Sequence, residues 1–211
     1  NQNFKFATAK FVKIEGVEVW AQRISYVGEL GFELYVKKEN ALKIFDILMN
    51  KGKTYNISLC GMHAMDIMRM ESGYLHWGHD ISPEENQFEA GLNFAVSFKK
   101  NINFIGRSAL EKKLDKKEHK KFKMLILNNS KEGAPLLLHD EPIYLKDKIV
   151  GRTTSGCYSF NYSKNLAFGY INSGLSSDQI DKEAFEIEVE KKKYSASVIT
   201  RPLNNKKLSA L

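Results

Sequence analysis

Glu33 is the first side chain whose setting asks for a chemical explanation. It stands between Phe32 and Leu34 in a run, Phe32 to Val36, that alternates apolar and other residues. On a strand, Phe32, Leu34 and Val36 share one face, while Glu33 and Tyr35 share the other. A carboxylate so placed faces water, pairs with a lysine or binds a ligand, because burying it unpaired is prohibitive. Composition alone favours the first two. As a ligand group, an ionised Glu is acceptor-only and bidentate, and so suits two N–H donors held side by side. His76, His79 and Asp80 are the nearest approach to a metal set. H-x-x-H-D on a loop is not a recurrent ligand spacing, and no metal site is expected. There is no Walker loop and no G-x-G-x-x-G, so neither nucleotide phosphates nor a flavin dinucleotide is expected on this chain. Ser155-Gly156-Cys157-Tyr158 lacks the G-x-S-x-G pattern of a nucleophile elbow and reads as a tight turn entering a strand. Residue types alone leave the catalytic group unassigned.

Two stretches carry a resemblance. Tyr26 to Glu33, reading Y-x-G-E-x-G-F-E, resembles the folate-site signature of the glycine cleavage T-protein (aminomethyltransferase) family. Downstream, MHAMDIMRMESGYLHWGHDISPEENQFEAGLNF resembles that family's second hallmark. Its form is most similar to the folate-binding C-terminal part of sarcosine and dimethylglycine dehydrogenases. The likeness runs from about Phe6 to about Pro202.

The resemblance implies an α+β fold: the C-terminal part of an aminomethyltransferase-like folate-binding domain, followed by a small antiparallel β-barrel. It implies tetrahydrofolate as cofactor, with the pterin's aminopyrimidine edge donating two hydrogen bonds to Glu33. Tyr26, Leu34 and Tyr35 would line the folate cavity, and Tyr74 and Trp77 would be aromatic walls. Tyr26, Tyr74 and Trp77 also read as ordinary core aromatics. The family's Ala-Arg-Asp is here Ala64-Met65-Asp66, so an arginine contact to folate is missing, and His63 and Arg69 are the nearest cations. The family's N-terminal half, with its assisting aspartate, has no counterpart in these 211 residues, nor has the FAD domain of the dehydrogenases. The parent protein would act on a methylated amine and yield 5,10-methylenetetrahydrofolate. Its partner would be the missing N-terminal half or a separate subunit, and this chain alone would be inactive. The alternatives are a tetrahydrofolate-dependent demethylase similar to that of dimethylsulfoniopropionate, and a non-catalytic folate-binding or interaction module.

Composition narrows the field. The chain has 43% hydrophobic and 27% charged residues, as globular proteins do, and no run of about 18 apolar residues that would cross a membrane. The N-terminus lacks the apolar core of a secretory signal. It also lacks an initiator Met, the mark of a segment of something longer. Cys60 and Cys157 are too few for a disulfide framework and are expected as small buried residues in a reducing compartment, the cytoplasm or, in a eukaryote, the mitochondrial matrix. The net charge of +7 invites a nucleic-acid reading. The lysines instead cluster in short solvated runs, such as Lys112-Lys113 and Lys116-Lys117, with no aromatic interleaved for base stacking.

The elements that must position Glu33 follow from periodicity. Glu15-Gly16 between alternating runs predicts a two-residue hairpin. A second hairpin-like unit is expected over 23–36, with a strand-like run to Tyr26 and a turn at Gly28 to Gly31. Helical spacing predicts helices over 39–50, stopped by Gly52, over 61–72 with a packing stripe of Met62, Met65 and Met68, and over 108–121 with Leu110 and Leu114 inward. Ser82-Pro83-Glu84-Glu85 reads as a capped helix start, and 92–98 as a strand. After Lys123, short β-rich runs at 124–127, 136–138, 143–145, 149–154, 166–171, 185–189 and 194–199 predict an antiparallel barrel or sandwich. A boundary near Lys121 divides a folate-binding unit, 1–121, from a barrel domain, 122–211.

Overall fold

The computed structural model describes residues 3–100, 102–114, 120–129 and 131–206. They fold as two units. One holds the described residues within 1–72 and 204–211, and the other those within 73–203. No helix among them is long and apolar enough to cross a membrane.

The first unit is a three-stranded antiparallel sheet, in order β1-β2-β3, with helices α1 and α2. β1 (Ala9–Ile14) and β2 (Val17–Gln22) meet at Glu15-Gly16, which take φ of 45° and 79°. Positive φ at both central residues is the type I′ turn, whose twist matches the strands it joins. β3 is only Glu33–Tyr35 and pairs with β2, not with residues 23–26. The chain between them is a loop. Ser25 Oγ accepts from the backbone N–H groups of Val27 and Glu29 at 3.3 and 3.1 Å, and a local side-chain acceptor of this kind competes with ladder pairing. The inner sheet face (Val12, Ile14, Val17, Val19, Leu34) packs on Ile44 and Ile47 of α1 (Ala41–Gly52). Gly52 ends α1 from inside. The chain continues as a 3-10 turn, Lys53–Tyr55, and reverses at Asn56, whose φ is 56°. α2 (Met62–Glu71) buries Arg69, Met70 and Glu71, while Met62, expected in a packing stripe, is 70% exposed. Cys60 is exposed, not buried.

The second unit is built on a closed six-stranded antiparallel barrel, ordered β4-β7-β6-β5-β8-β9, with β9 returning to β4. Its strands are β4 (Lys121–Leu127), β5 (Pro142–Leu145), β6 (Lys148–Ser159), β7 (Lys164–Ile171), β8 (Ala184–Val189) and β9 (Lys192–Ile199). Period-2 alternation turns Leu125, Leu127, Ile143, Phe185, Ile187 and Ala196 into one core. Closure leaves no open sheet edge. Residues 136–138 form no strand. Ser155 to Tyr158 are strand interior, not a turn: Thr153, Ser155, Cys157 and Ser159 alternate as buried positions of β6, past a register shift between Thr153 and Ser155.

Two further expectations fail in this unit, and a third holds in part. Ser82 to Glu85 starts no helix. Ser82 N–H and Oγ donate to Glu85 Oε2 at 2.8 and 2.6 Å, and Asn86 N–H donates to Glu89 Oε2 at 2.9 Å. The carboxylates thus close two successive local boxes, and the chain stays in tandem turns. Residues 92–98 hold a 3-10 turn (Asn93–Ala95) and no strand, with Phe94 86% exposed. α3 spans Arg107–Leu114, with Leu110 half-buried and Leu114 exposed, while Lys116 and Lys117 lie outside the described residues. A short α4 (Ser177–Ile180) carries a capping box, Ser176 with Gln179.

Candidate functional site

In the first unit, four of the six anticipated ligand residues cluster on β3 and the loop before it. Glu33 opens β3 opposite Gln22, and its carboxylate is exposed. Tyr35 lies two residues on, on the same face, and its hydroxyl donates to Glu33 Oε2 at 2.8 Å. That bond and the adjacent negative charge push the Tyr35 phenol above its ordinary range. Leu34 turns the other way and packs on the Val17–Val19–Ile44 cluster. Tyr26 is half-buried in the loop.

The loop is held by residues that periodicity did not single out. Gly28 takes φ of +73°, and a Cβ there would lie 2.1 Å from Ser72 Oγ and 2.5 Å from Asn204 Nδ2. Both side chains clamp the loop backbone. Ser72 Oγ donates to Val27 O at 3.3 Å, and Asn204 Nδ2 donates to Gly28 O at 3.3 Å and to Ser72 Oγ at 3.2 Å. Asn204 N–H in turn donates to Glu71 O at 2.7 Å, and Lys206 pairs with Glu29 at 2.6 Å. Arg23, at the loop's start, is buried and donates from Nη1 to Phe4 O at 2.5 Å. Its Nε and Nη2 are buried without a hydrogen-bond partner. On α2, Arg69 is buried and bonded to Asp66 at 2.7 Å. His63 is exposed.

In the second unit, Tyr74 is half-buried and Trp77 is 66% exposed, on a loop fastened by one buried carboxylate. Asp80 has no exposed surface. Its Oδ2 accepts from His76 N–H at 2.9 Å, and Oδ1 accepts from Thr154 Oγ1 at 2.5 Å and Ser155 Oγ at 2.8 Å. The Tyr170 hydroxyl donates to Asp80 O at 2.8 Å. Asp80 therefore ties the loop to β6 and β7, and on the same loop the His76 and His79 rings lie with their centroids 4.6 Å apart. Among the described residues, no group of three or more His, Cys, Asp and Glu is arranged to hold a metal ion.

Beside this loop opens a cleft of about 650 Å³, lined among others by Ser82, Glu85, Lys120, Asp140, Arg152 and Tyr170. Four of its charged side chains are paired with one another. Lys120 meets Glu85 at 2.5 Å, and Arg152 meets Asp140 at 3.0 Å. Burial alone would raise the Glu85 carboxyl, but the bonds from Lys120 and Ser82 outweigh it and hold the group below the usual range. Burial, helped by the carboxylates of Glu85, Asp80 and Glu89, pushes the Tyr170 phenol well up. Sequence spacing gave no sign of this cleft, because its two walls are some 70 residues apart in the chain.

Comparison with known proteins agrees with this architecture. Residues 1–100 match the family model "GCVT N-terminal domain", and residues 120–204 match "Glycine cleavage T-protein C-terminal barrel domain". The chain is 36% identical over 203 residues to the mitochondrial dimethylglycine dehydrogenase of Homo sapiens, covering 95% of this chain and 22% of that protein. It is 35% identical over 167 residues to the aminomethyltransferase of Symbiobacterium thermophilum, covering 79% of this chain and 44% of the other. In fold it is similar to the glycine cleavage system aminomethyltransferase T of Bartonella henselae, with a TM-score of 0.81 at 20% identity over 96% of this chain and 54% of that one. It thus spans about a fifth of the dehydrogenase and about half of the aminomethyltransferases. With both of its domain models matched in order and its fold shared, the chain belongs to the glycine cleavage T-protein family.

Proposed function

We propose that this chain binds tetrahydrofolate through Glu33 and forms the folate-holding part of a one-carbon-transfer enzyme that acts on a methylated amine. Its one-carbon product would be 5,10-methylenetetrahydrofolate. The observation that carries the reading is the exposed Glu33 carboxylate, steadied by the Tyr35 hydroxyl at 2.8 Å. A carboxylate offers about four lone-pair sites, so one bond from Tyr35 leaves room for two donors from a pterin edge. The bond also orients the group, which lowers the entropy lost on binding. Tyr26 and Tyr35 would shape the cavity wall beside Glu33, Leu34 would contribute through its backbone because its side chain packs into the core, and Tyr74 and Trp77 would be aromatic contacts. When bound, tetrahydrofolate supplies the nitrogens that accept a one-carbon unit.

In this reading, 1–121 is the folate-binding region and 122–211 the barrel domain, a division that the extents of the two family models support. The further polypeptide that the relatives possess would supply the catalytic carboxylate. A reducing compartment, the cytoplasm or the mitochondrial matrix, suits both free cysteines.

The test is titration calorimetry of tetrahydrofolate on the full chain and on Glu33→Gln. The amide places a donor against the pterin's own N–H. It should lose about 2 kcal/mol, roughly thirtyfold in affinity, since charge-assisted bonds are worth about 1.5–3 kcal/mol each. Equal affinity of parent and variant would sink the assignment.

A further inference from the structure

Arg23 is a buried charge that its surroundings answer only in part. Its backbone carries the β1–β2 ladder one step further, with N–H donating to Thr8 O and its O accepting from Ala7 N–H, both at 2.9 Å. The side chain turns inward and is 3% exposed. Nη1 donates to Phe4 O, while Nε and Nη2 are buried and meet no acceptor among the described residues. These two atoms are one side of the guanidinium, the fork that receives a carboxylate through two parallel bonds. A buried guanidinium with that fork unanswered is costly to the fold.

The first unit holds the missing group close by. Arg23 lines a small cavity with Phe6, Ile24, Ser25, Glu29, Leu30 and Gly31. The cavity has no room for a water molecule, so water does not satisfy the fork there. Glu29 supplies the one carboxylate among these residues. It is held instead by Lys206 at 2.6 Å, in a pair whose side chains are 40% and 51% exposed. An exposed pair of this kind contributes little and is screened by salt. A weak contact thus retains the carboxylate that the buried cation lacks.

We propose that Glu29 is shared between two cations, Lys206 outside and Arg23 inside, and that the loop over 24–31 has a distinct arrangement for each. The inward arrangement gives up an exposed pair and gains two charge-assisted bonds away from water. Since the cavity is too small to admit the carboxylate as it stands, the loop moves with it. Glu29 and Leu30 stand between Gly28 and Gly31, where the backbone turns most freely. The effect reaches Glu33 by two routes. Tyr26 lies on the moving loop, and Phe4, whose carbonyl holds Arg23, packs edge-on against Phe32 with ring centroids 5.1 Å apart. Phe32 is the residue before Glu33. The exchange rests on Arg23, Glu29 and Lys206, and only its effect on ligand binding rests on the folate reading.

The experiment follows the Arg23 Nε–H and the amides of 24–31 by nuclear magnetic resonance in the full chain. Lys206→Gln removes the outer cation. It should move the Arg23 Nε–H downfield and slow its exchange with solvent by at least about fivefold. Raising salt from about 0.05 to about 0.5 M should move the parent in the same direction, because screening weakens the exposed pair and spares the buried one. Glu29→Gln should abolish both responses. All these side chains but Arg23 are partly exposed, and unchanged barrel amides certify that each variant is folded. An Arg23 Nε–H unmoved by Lys206→Gln, or a salt response that persists in Glu29→Gln, would overturn the exchange. Calorimetry with tetrahydrofolate then compares the parent with Lys206→Gln, and at least a threefold difference in affinity is expected. Equal affinities would overturn the link from this loop to the ligand site. Absence of binding to either would sink the folate assignment and leave the exchange standing.

Discussion

Replacing Asp80 by Asn keeps the shape of the side chain and changes only its charge and one atom. Two carboxylate oxygens accept from His76 N–H, Thr154 Oγ1 and Ser155 Oγ, at 2.9, 2.5 and 2.8 Å. Bonds to a charged acceptor are worth about 1.5–3 kcal/mol each, so the three together hold roughly 5–9 kcal/mol before costs. Desolvating the buried carboxylate consumes several of those. The amide retains one acceptor and turns an NH₂ toward a donor, so the expected net loss is about 2–3 kcal/mol. The assay is urea unfolding followed by Trp77 emission in a Trp20→Phe background. These are the chain's two tryptophans, and Trp77 lies on the loop that Asp80 fastens. Thr154→Val should cost about 1 kcal/mol in the parent and clearly less beside Asp80→Asn, since residues sharing one acceptor couple. An Asp80→Asn loss under about 0.5 kcal/mol, or full additivity with Thr154→Val, would refute the account of this carboxylate as the fastener.

Gly28→Ala should destabilise the first unit by about 3 kcal/mol, from an unfavourable left-handed alanine plus displacement of Ser72 and Asn204. Hydrogen exchange of residues 24–36 checks it, and unchanged protection would contradict the clamp. Ser82→Ala should cost about 1 kcal/mol by denaturant melts, through a disrupted local box with Glu85 instead of a lost helix cap. Because the folded Glu85 carboxyl is held below its unfolded value of about 4.3, its contribution is present above that pH and fades as acid reaches the lower folded value. Glu85→Gln should therefore flatten the acid limb of a stability–pH curve below about pH 4, while an unchanged limb would deny the Lys120 and Ser82 bonds their role. Finally, the chain alone should not demethylate sarcosine or dimethylglycine above background in a formaldehyde-trapping assay, because orientation and a charge opposite the forming cation supply much of such a rate. Appreciable turnover would mean that a carboxylate assigned a structural place in the fold is catalytic.

The barrel was legible in the sequence because its strands alternate with period two, so six of seven anticipated runs became strands. The first hairpin was legible for the same reason, sharpened by Glu15-Gly16. Legibility failed where a side chain satisfied the backbone locally. Ser25 drew 23–32 into a loop, and Glu85 and Glu89 held 82–90 in turns where a capping signature promised a helix. Of the site, Glu33 and its face followed from alternation. Ser72, Asn204 and the Asp80 hub did not, since the bonds that make them clamps reach partners 45, 176 and 74 residues away and no local pattern encodes such pairs.

Asn204 clamps Gly28 across almost the entire chain. On a ribosome the glycine loop emerges well before its clamp, which arrives 176 residues later, about 10–35 s at usual elongation rates. Until then Gly28 lacks the carbonyl partner that fixes it. Competence of this loop is thus a late event in synthesis, delayed until the whole barrel has been made. A transcript cut short between the codons for Glu33 and Asn204 would yield a product that keeps the Y-x-G-E-x-G-F-E signature but lacks the side chain that clamps it.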